Sequence, residues 1–134
     1  MTQNTTATET DVVTKLSPLS VADTTAKLTG IIAAKGVKLF DVIDQAAQAR
    51  EAGLTLRDTV LVIFGNPAAG TPVMAASPLA ALDLPLKVLI WSDDGQTKVS
   101  YYPPATLAAR HHLGPDLAGN LGAVNALTDA LVTS

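Results

Sequence analysis

The sequence predicts an α+β domain in two layers, with a mixed or antiparallel sheet of about four to five strands covered by helices. Three observations lead there. Thr59 to Phe64 (TVLVIF) is an unbroken β-prone run, buried on both faces if it forms a strand. Asp93-Asp94-Gly95-Gln96 places a D-G turn between two further strand-like runs, Leu86 to Trp91 and Thr97 to Tyr102, which makes that pair antiparallel. Segments with helical apolar spacing separate the remaining strands, so helices must pack on the sheet.

The elements follow in order. Residues 1 to 10 are Thr-rich and polar and read as a disordered tail, leaving 11 to 134 as one α+β domain. Asp11 to Leu16 reads as a short strand with Val12 and Val13 inside, stopped by Ser17-Pro18. Ser20 with Asp23 three residues later marks a helix N-terminus. Val21, Thr25, Leu28 and Ile32 form its apolar stripe, widened by Ile31, and Gly36 stops it. Val37 to Asp44 has apolar residues on both faces and reads as a covered interior strand, against which Asp41 and Asp44 count. Asp44 can cap the short Ala-rich helix from Gln45 to Ala52, which Gly53 closes. Gly70 to Ala81 reads as a helix in two pieces split near Pro78. Pro103-Pro104 opens a helix through His111 that ends at Gly114. Leu117, Leu121, Val124 and Leu131 mark one last helix, weakened by Gly119 and Gly122.

Composition narrows the function classes. A chain of 134 residues fits one domain with a real core. With 48% hydrophobic and 16% charged residues, disorder over the whole length is excluded. Net charge is −3, and the nine Lys and Arg are spread from Lys15 to Arg110 without a cluster. No nucleic-acid or anionic membrane partner is therefore expected. The absence of cysteine excludes disulfides, thiolate catalysis and cysteine-ligated metals. The N-terminal segment has no basic region followed by an apolar run, and no apolar run is long enough to span a bilayer, so a soluble cytoplasmic protein is expected.

The polar residues leave the chemistry open. Gly65-Asn66-Pro67-Ala-Ala-Gly70 has the glycine spacing of a phosphate loop, but Thr71 and Pro72 stand where that pattern needs Lys and Ser/Thr. It reads first as a structural turn and second as a ligand loop. His111 shares a helical face with Leu107 and points toward the core or a cleft; His112 diverges from it, so the two cannot readily share a metal. Arg110, His111 and His112 together also complement a helix C-terminus. Asp83 lies among leucines and needs a partner, Lys87 or Arg110, if buried. Tyr101 and Tyr102 must face opposite ways on a strand. No nucleophile elbow surrounds Ser77 or Ser100.

Phe64-Gly65-Asn66-Pro67, Gly70-Thr71-Pro72, Met74, Pro78 and Ala81-Leu82-Asp83-Leu84-Pro85-Leu86-Lys87 form one ordered set. Tyr101, Pro104, Leu107, Ala108, Arg110 and His111 form a closing set. With these residues, Ile43 to Leu113 resembles the bacterial family called domain of unknown function 302. The resemblance implies a compact α/β domain, usually self-associating, with no established activity. One departure is that Ile43-Asp44 is followed by Gln45, where the family often carries His.

The leading expectation is a non-catalytic small-molecule-binding or interaction domain acting as a homodimer. Its candidate ligand residues are Asn66, Asp83, Tyr101, Arg110 and His111, with the ligand near His111 and the Gly65-Asn66-Pro67 turn. The alternatives are a small enzyme with a pocket formed by His111, Asn66 and Asp83, or a haem or other cofactor protein using His111 as axial ligand. The residues do not decide whether a cofactor is used.

Overall fold

The computed structural model describes residues 11–133. Five strands form one antiparallel sheet in the order β1-β5-β4-β3-β2. They are β1 (Val13–Ser17), β2 (Lys38–Asp44), β3 (Thr59–Gly65), β4 (Leu86–Asp93) and β5 (Gln96–Tyr101). The helices among the described residues are α1 (Val21–Ala34), α2 (Gln45–Glu51), α3 (Pro67–Ala76), α4 (Pro104–His111), α5 (Pro115–Gly119) and α6 (Ala123–Val132), with a 3-10 turn at Pro78–Leu82. The α+β class and the antiparallel sheet agree with the sequence. Residues 1 to 10, expected to be a tail, lie outside the described residues.

Local chemistry starts each element. The Ser20 hydroxyl accepts from the Asp23 amide at 3.0 Å and opens α1. The Asp44 carboxylate accepts from the Ala47 amide at 2.9 Å and opens α2. In the β4–β5 turn, Asp94 and Gly95 both have positive φ, 54° and 87°, as the primed two-residue hairpin turn requires. Glycines at 119 and 122 weaken the last helical stretch as expected, but the result is two helices, α5 and α6, rather than one bent one. The buried side of α1 carries Val21, Thr24, Leu28 and Ile32, so Thr24 replaces Thr25 in the stripe. Thr24 is there for a polar reason: its hydroxyl meets that of Ser17 at 2.7 Å and satisfies both buried groups.

The core lies between the sheet and the helices. Val60, Val62 and Phe64 of β3 alternate with half-buried Leu61 and Ile63, and Leu86, Val88 and Ile90 of β4 alternate with Lys87, Leu89 and Trp91. The first set of each strand packs with Leu28 and Ile32 of α1 and Val124, Leu127 and Leu131 of α6. Helix α1 crosses β2, β3 and β4, while α6 packs on α1 and β1.

One strand differs from expectation. Val37 to Asp44 is not a covered interior strand; among the described residues β2 is an edge of the sheet, paired only with β3. Leu39, Phe40 and Val42 are 40%, 43% and 37% exposed. The apolar count on both faces is real, but strand position is decided by long-range pairing. A bulge between Leu39 and Asp41 pushes Phe40 out of the ladder.

Two leucines test this arrangement. Leu28 is fully buried, so Leu28→Ala should cost about 2–5 kcal/mol. Leu39 on the open edge should cost less than about 1 kcal/mol. Urea denaturation of both variants is the measurement. Equal losses would show that β2 is covered in solution.

Candidate functional site

The family-matched polar residues fall into two neighbouring places rather than one. The first is the turn after β3. Asn66 caps α3, its side-chain oxygen accepting from the Ala68 amide at 3.0 Å, and Pro67 takes the first helical position, where a missing N–H is harmless. This turn borders a cavity of about 350 Å3. Phe40, Phe64, Met74, Leu84, Pro85 and Leu121 make most of its wall. Its polar side chains are Asn66 and Asn120, and no ionisable residue lines it. The Asn120 amide donates to the Ala69 carbonyl at 3.1 Å, tying the α5–α6 junction to α3.

The second place is centred on Asp83, just after the 3-10 turn. Arg110 Nη1 donates to both carboxylate oxygens at 3.1 Å, and His111 Nε2 contacts Oδ2. Helix α4 therefore presents both groups to one carboxylate. Burial by itself would raise the Asp83 carboxyl, but the hydrogen bonds from His111 and Arg110 outweigh it and hold the group below its ordinary range. The expected pairing with Arg110 is present. Lys87 instead donates to the Asp83 and Pro85 main-chain carbonyls. Asp83 and Tyr101 line a separate concavity of about 240 Å3, together with Tyr102, Lys87, Leu89 and Leu107.

The candidate residues can now be located. Asn66 stands at the first cavity, Asp83 and Tyr101 at the second, and Arg110 and His111 are bonded to Asp83. Leu86 lines both cavities. His111 and Asn66 share neither. Tyr101 is buried and donates its hydroxyl to Asn125 at 3.0 Å, while Tyr102 is exposed, as their alternation requires. Axial ligation of haem by His111 would have to use Nδ1, because Nε2 is held by Asp83. Among the described residues, no three His, Asp or Glu side chains gather as a metal site. Phe40 and Asn120 were not foreseen. The bulge that sets Phe40 at the cavity's edge has no sequence signature, but a polar residue inside the Gly119–Gly122 break is a usable signal for Asn120.

His112 is in the left-handed region at φ 55° and closes α4. It is thus an exposed helix stop, wetter than His111. Asp83→Ala should cost about 1–3 kcal/mol, because it removes charge-assisted bonds and leaves Arg110 and His111 unpartnered. His112→Ala should cost below about 1 kcal/mol. The native Asp83 carboxyl titrates below its ordinary value of 3.8. Wild type should thus hold its full advantage over Asp83→Asn above that pH and lose it as pH falls through the lower native value. Denaturation midpoints of the two proteins across acidic pH check this; a constant difference would refute the carboxylate's role.

Known proteins agree with this architecture. The model of the family "Domain of unknown function DUF302" matches residues 13–131. The chain is 42% identical over 103 residues to the fluoride-specific ion channel FluC 1 of Brucella suis, covering 76% of this chain and 41% of that protein. It is equally identical to FluC 1 of Brucella abortus, over 38% of that protein's length. The chain thus spans about two fifths of the curated relatives it matches. The crystal structure of an uncharacterised conserved DUF302 protein from Bacillus stearothermophilus superposes with a TM-score of 0.76 at 19% identity, covering 91% of this chain and 95% of that one, which shows a common fold. The family model, matching residues 13–131, leads to one conclusion: the chain belongs to the DUF302 family.

Proposed function

We propose that this chain is a non-catalytic domain that binds a small, uncharged apolar molecule and acts as a homodimer. The cavity beside the Gly65-Asn66-Pro67 turn carries this reading. Its volume of about 350 Å3 is within the usual range for small-molecule sites, and apolar side chains dominate its wall. No acid, base or cation lines it, so a charged ligand would be desolvated there without a partner. The Asn66 and Asn120 side chains each spend one atom on the backbone and keep the other end for a ligand.

Self-association is supported by the β2 edge. Leu39, Phe40 and Val42 are exposed there, beside main-chain groups that no further strand pairs. Such an edge is a template for strand addition by a second copy. The match to part of two fluoride-channel proteins favours a module that binds or docks. No helix of the described residues is long and apolar enough to cross a membrane, so conduction is not the role this domain's helices would supply.

Neutral probes, p-xylene and hexanol, titrated into labelled protein should shift the Met74 methyl and the Phe40 ring together. Ala69→Phe should fill the cavity and weaken binding at least about tenfold. A melting curve confirms that the variant is folded. Unchanged affinity in the folded variant, or shifts away from Met74 and Phe40, would reject the ligand site. Light scattering coupled to size exclusion should give a dimer mass, and Val42→Lys on β2 should reduce it to monomer. A monomer mass for wild type across micromolar loading would reject the dimer.

A further inference from the structure

The second concavity differs from the first in its electrostatics. Its floor is apolar, with Leu61, Leu89 and Leu107, but charged groups stand at its mouth. Asp83 is one of them, and it is already engaged by Arg110 and His111. Lys87 is another. Its ammonium reaches only the carbonyl oxygens of Asp83 at 3.3 Å and Pro85 at 3.2 Å. An ammonium has three donors, so one remains. Among the described residues no carboxylate pairs with Lys87, because the nearest one in sequence, Asp83, is turned to α4. Arg110 does not line the cavity, but it lies over the ring of Tyr102, which does, at 5.1 Å, and so stands just behind that wall. Lys87 in the lining and Arg110 behind Tyr102 therefore outnumber the one carboxylate, Asp83, even with His111 neutral.

We propose that this cavity binds a small monocarboxylate with a flat apolar body. The body rests on Leu61, Leu89 and Leu107 beside Tyr102, and the carboxylate takes the spare donor of Lys87 with Arg110 behind it. The volume of about 240 Å3 is below the drug-sized range, which limits the ligand to a fragment such as a single substituted ring. A single negative charge fits better than two, since Asp83 is on the same wall and repels a dianion more strongly. A cationic ligand is disfavoured because the Asp83 oxygens are occupied by Arg110 and His111 and Lys87 opposes it. The ligand-binding reading of the first cavity has no part in this inference.

Three probes of matched shape decide it: phenylacetate, phenylacetamide and benzylammonium, followed by NMR shifts and calorimetry on the full chain. Phenylacetate should shift Leu89, Tyr102 and Lys87 and bind at least about tenfold tighter than phenylacetamide, with an advantage that shrinks in salt. Benzylammonium should bind weakest. Lys87 is exposed, so Lys87→Ala should fold normally. That variant should lose the preference for the acid while keeping its affinity for the amide, and Lys87→Arg should retain the preference. Equal affinity for acid and amide, an unchanged preference in Lys87→Ala, or shifts confined to Phe40 and Met74 would each overturn the assignment.

Discussion

The constraint on which this structure depends is that two strands consecutive in the chain, β1 and β2, occupy opposite edges of one sheet. Five strands about 4.8 Å apart span about 19 Å. The connection must cross that width on one face without leaving polar backbone buried, which a helix does because its hydrogen bonds are internal. Helix α1 has 14 residues, about 21 Å at 1.5 Å per residue, and with its short connectors it is long enough. Because α1 covers β2, β3 and β4, the β1 end of the same face is left for α6, and these two helices with the sheet enclose the core.

The remaining segments are thereby sent to the ends of the strands. The long β3–β4 connection carries α3 and the 3-10 turn, and α4 and α5 follow β5. Asp83 is where these segments meet. Its carboxylate holds α4 through Arg110 and His111, and the Ser77 hydroxyl adds a bond to the His111 carbonyl at 3.3 Å. Immediately after Asp83, Leu84 and Pro85 line the first cavity and Leu86 lines both. The two cavities are chemically unlike. One is lined without charge; the other carries the charged side chains of Asp83 and Lys87.

How much of this was legible in the residues varies with the range of the interaction. Ser20, Asp44 and Pro104 announce helix starts because a cap is settled within three or four residues, whereas α3 starts at Pro67, capped by Asn66, ahead of the expected Gly70. Asp94-Gly95 announces the hairpin because positive φ is a property of the residue itself. His111 could be turned inward from the i, i+4 relation with Leu107, and its partner Asp83 was recognisable as a carboxylate in need of one. What was not legible is that Asn66 and His111 lie at different cavities. Their separation depends on where the Leu84–Leu86 segment runs, and no local rule specifies that.

The sequence by itself determined the fold class, nearly every element, the opposite orientations of Tyr101 and Tyr102, and the polar residues at the strand ends. All of these follow from periodicity, capping and backbone preference, which act over a few residues. Only the tertiary structure decided that β2 is an edge, that Phe40 bulges into a cavity wall, and that Lys87 is left without a carboxylate. An apolar run looks the same at the centre of a sheet and at its edge, since that difference is made by a neighbour distant in the chain or by none.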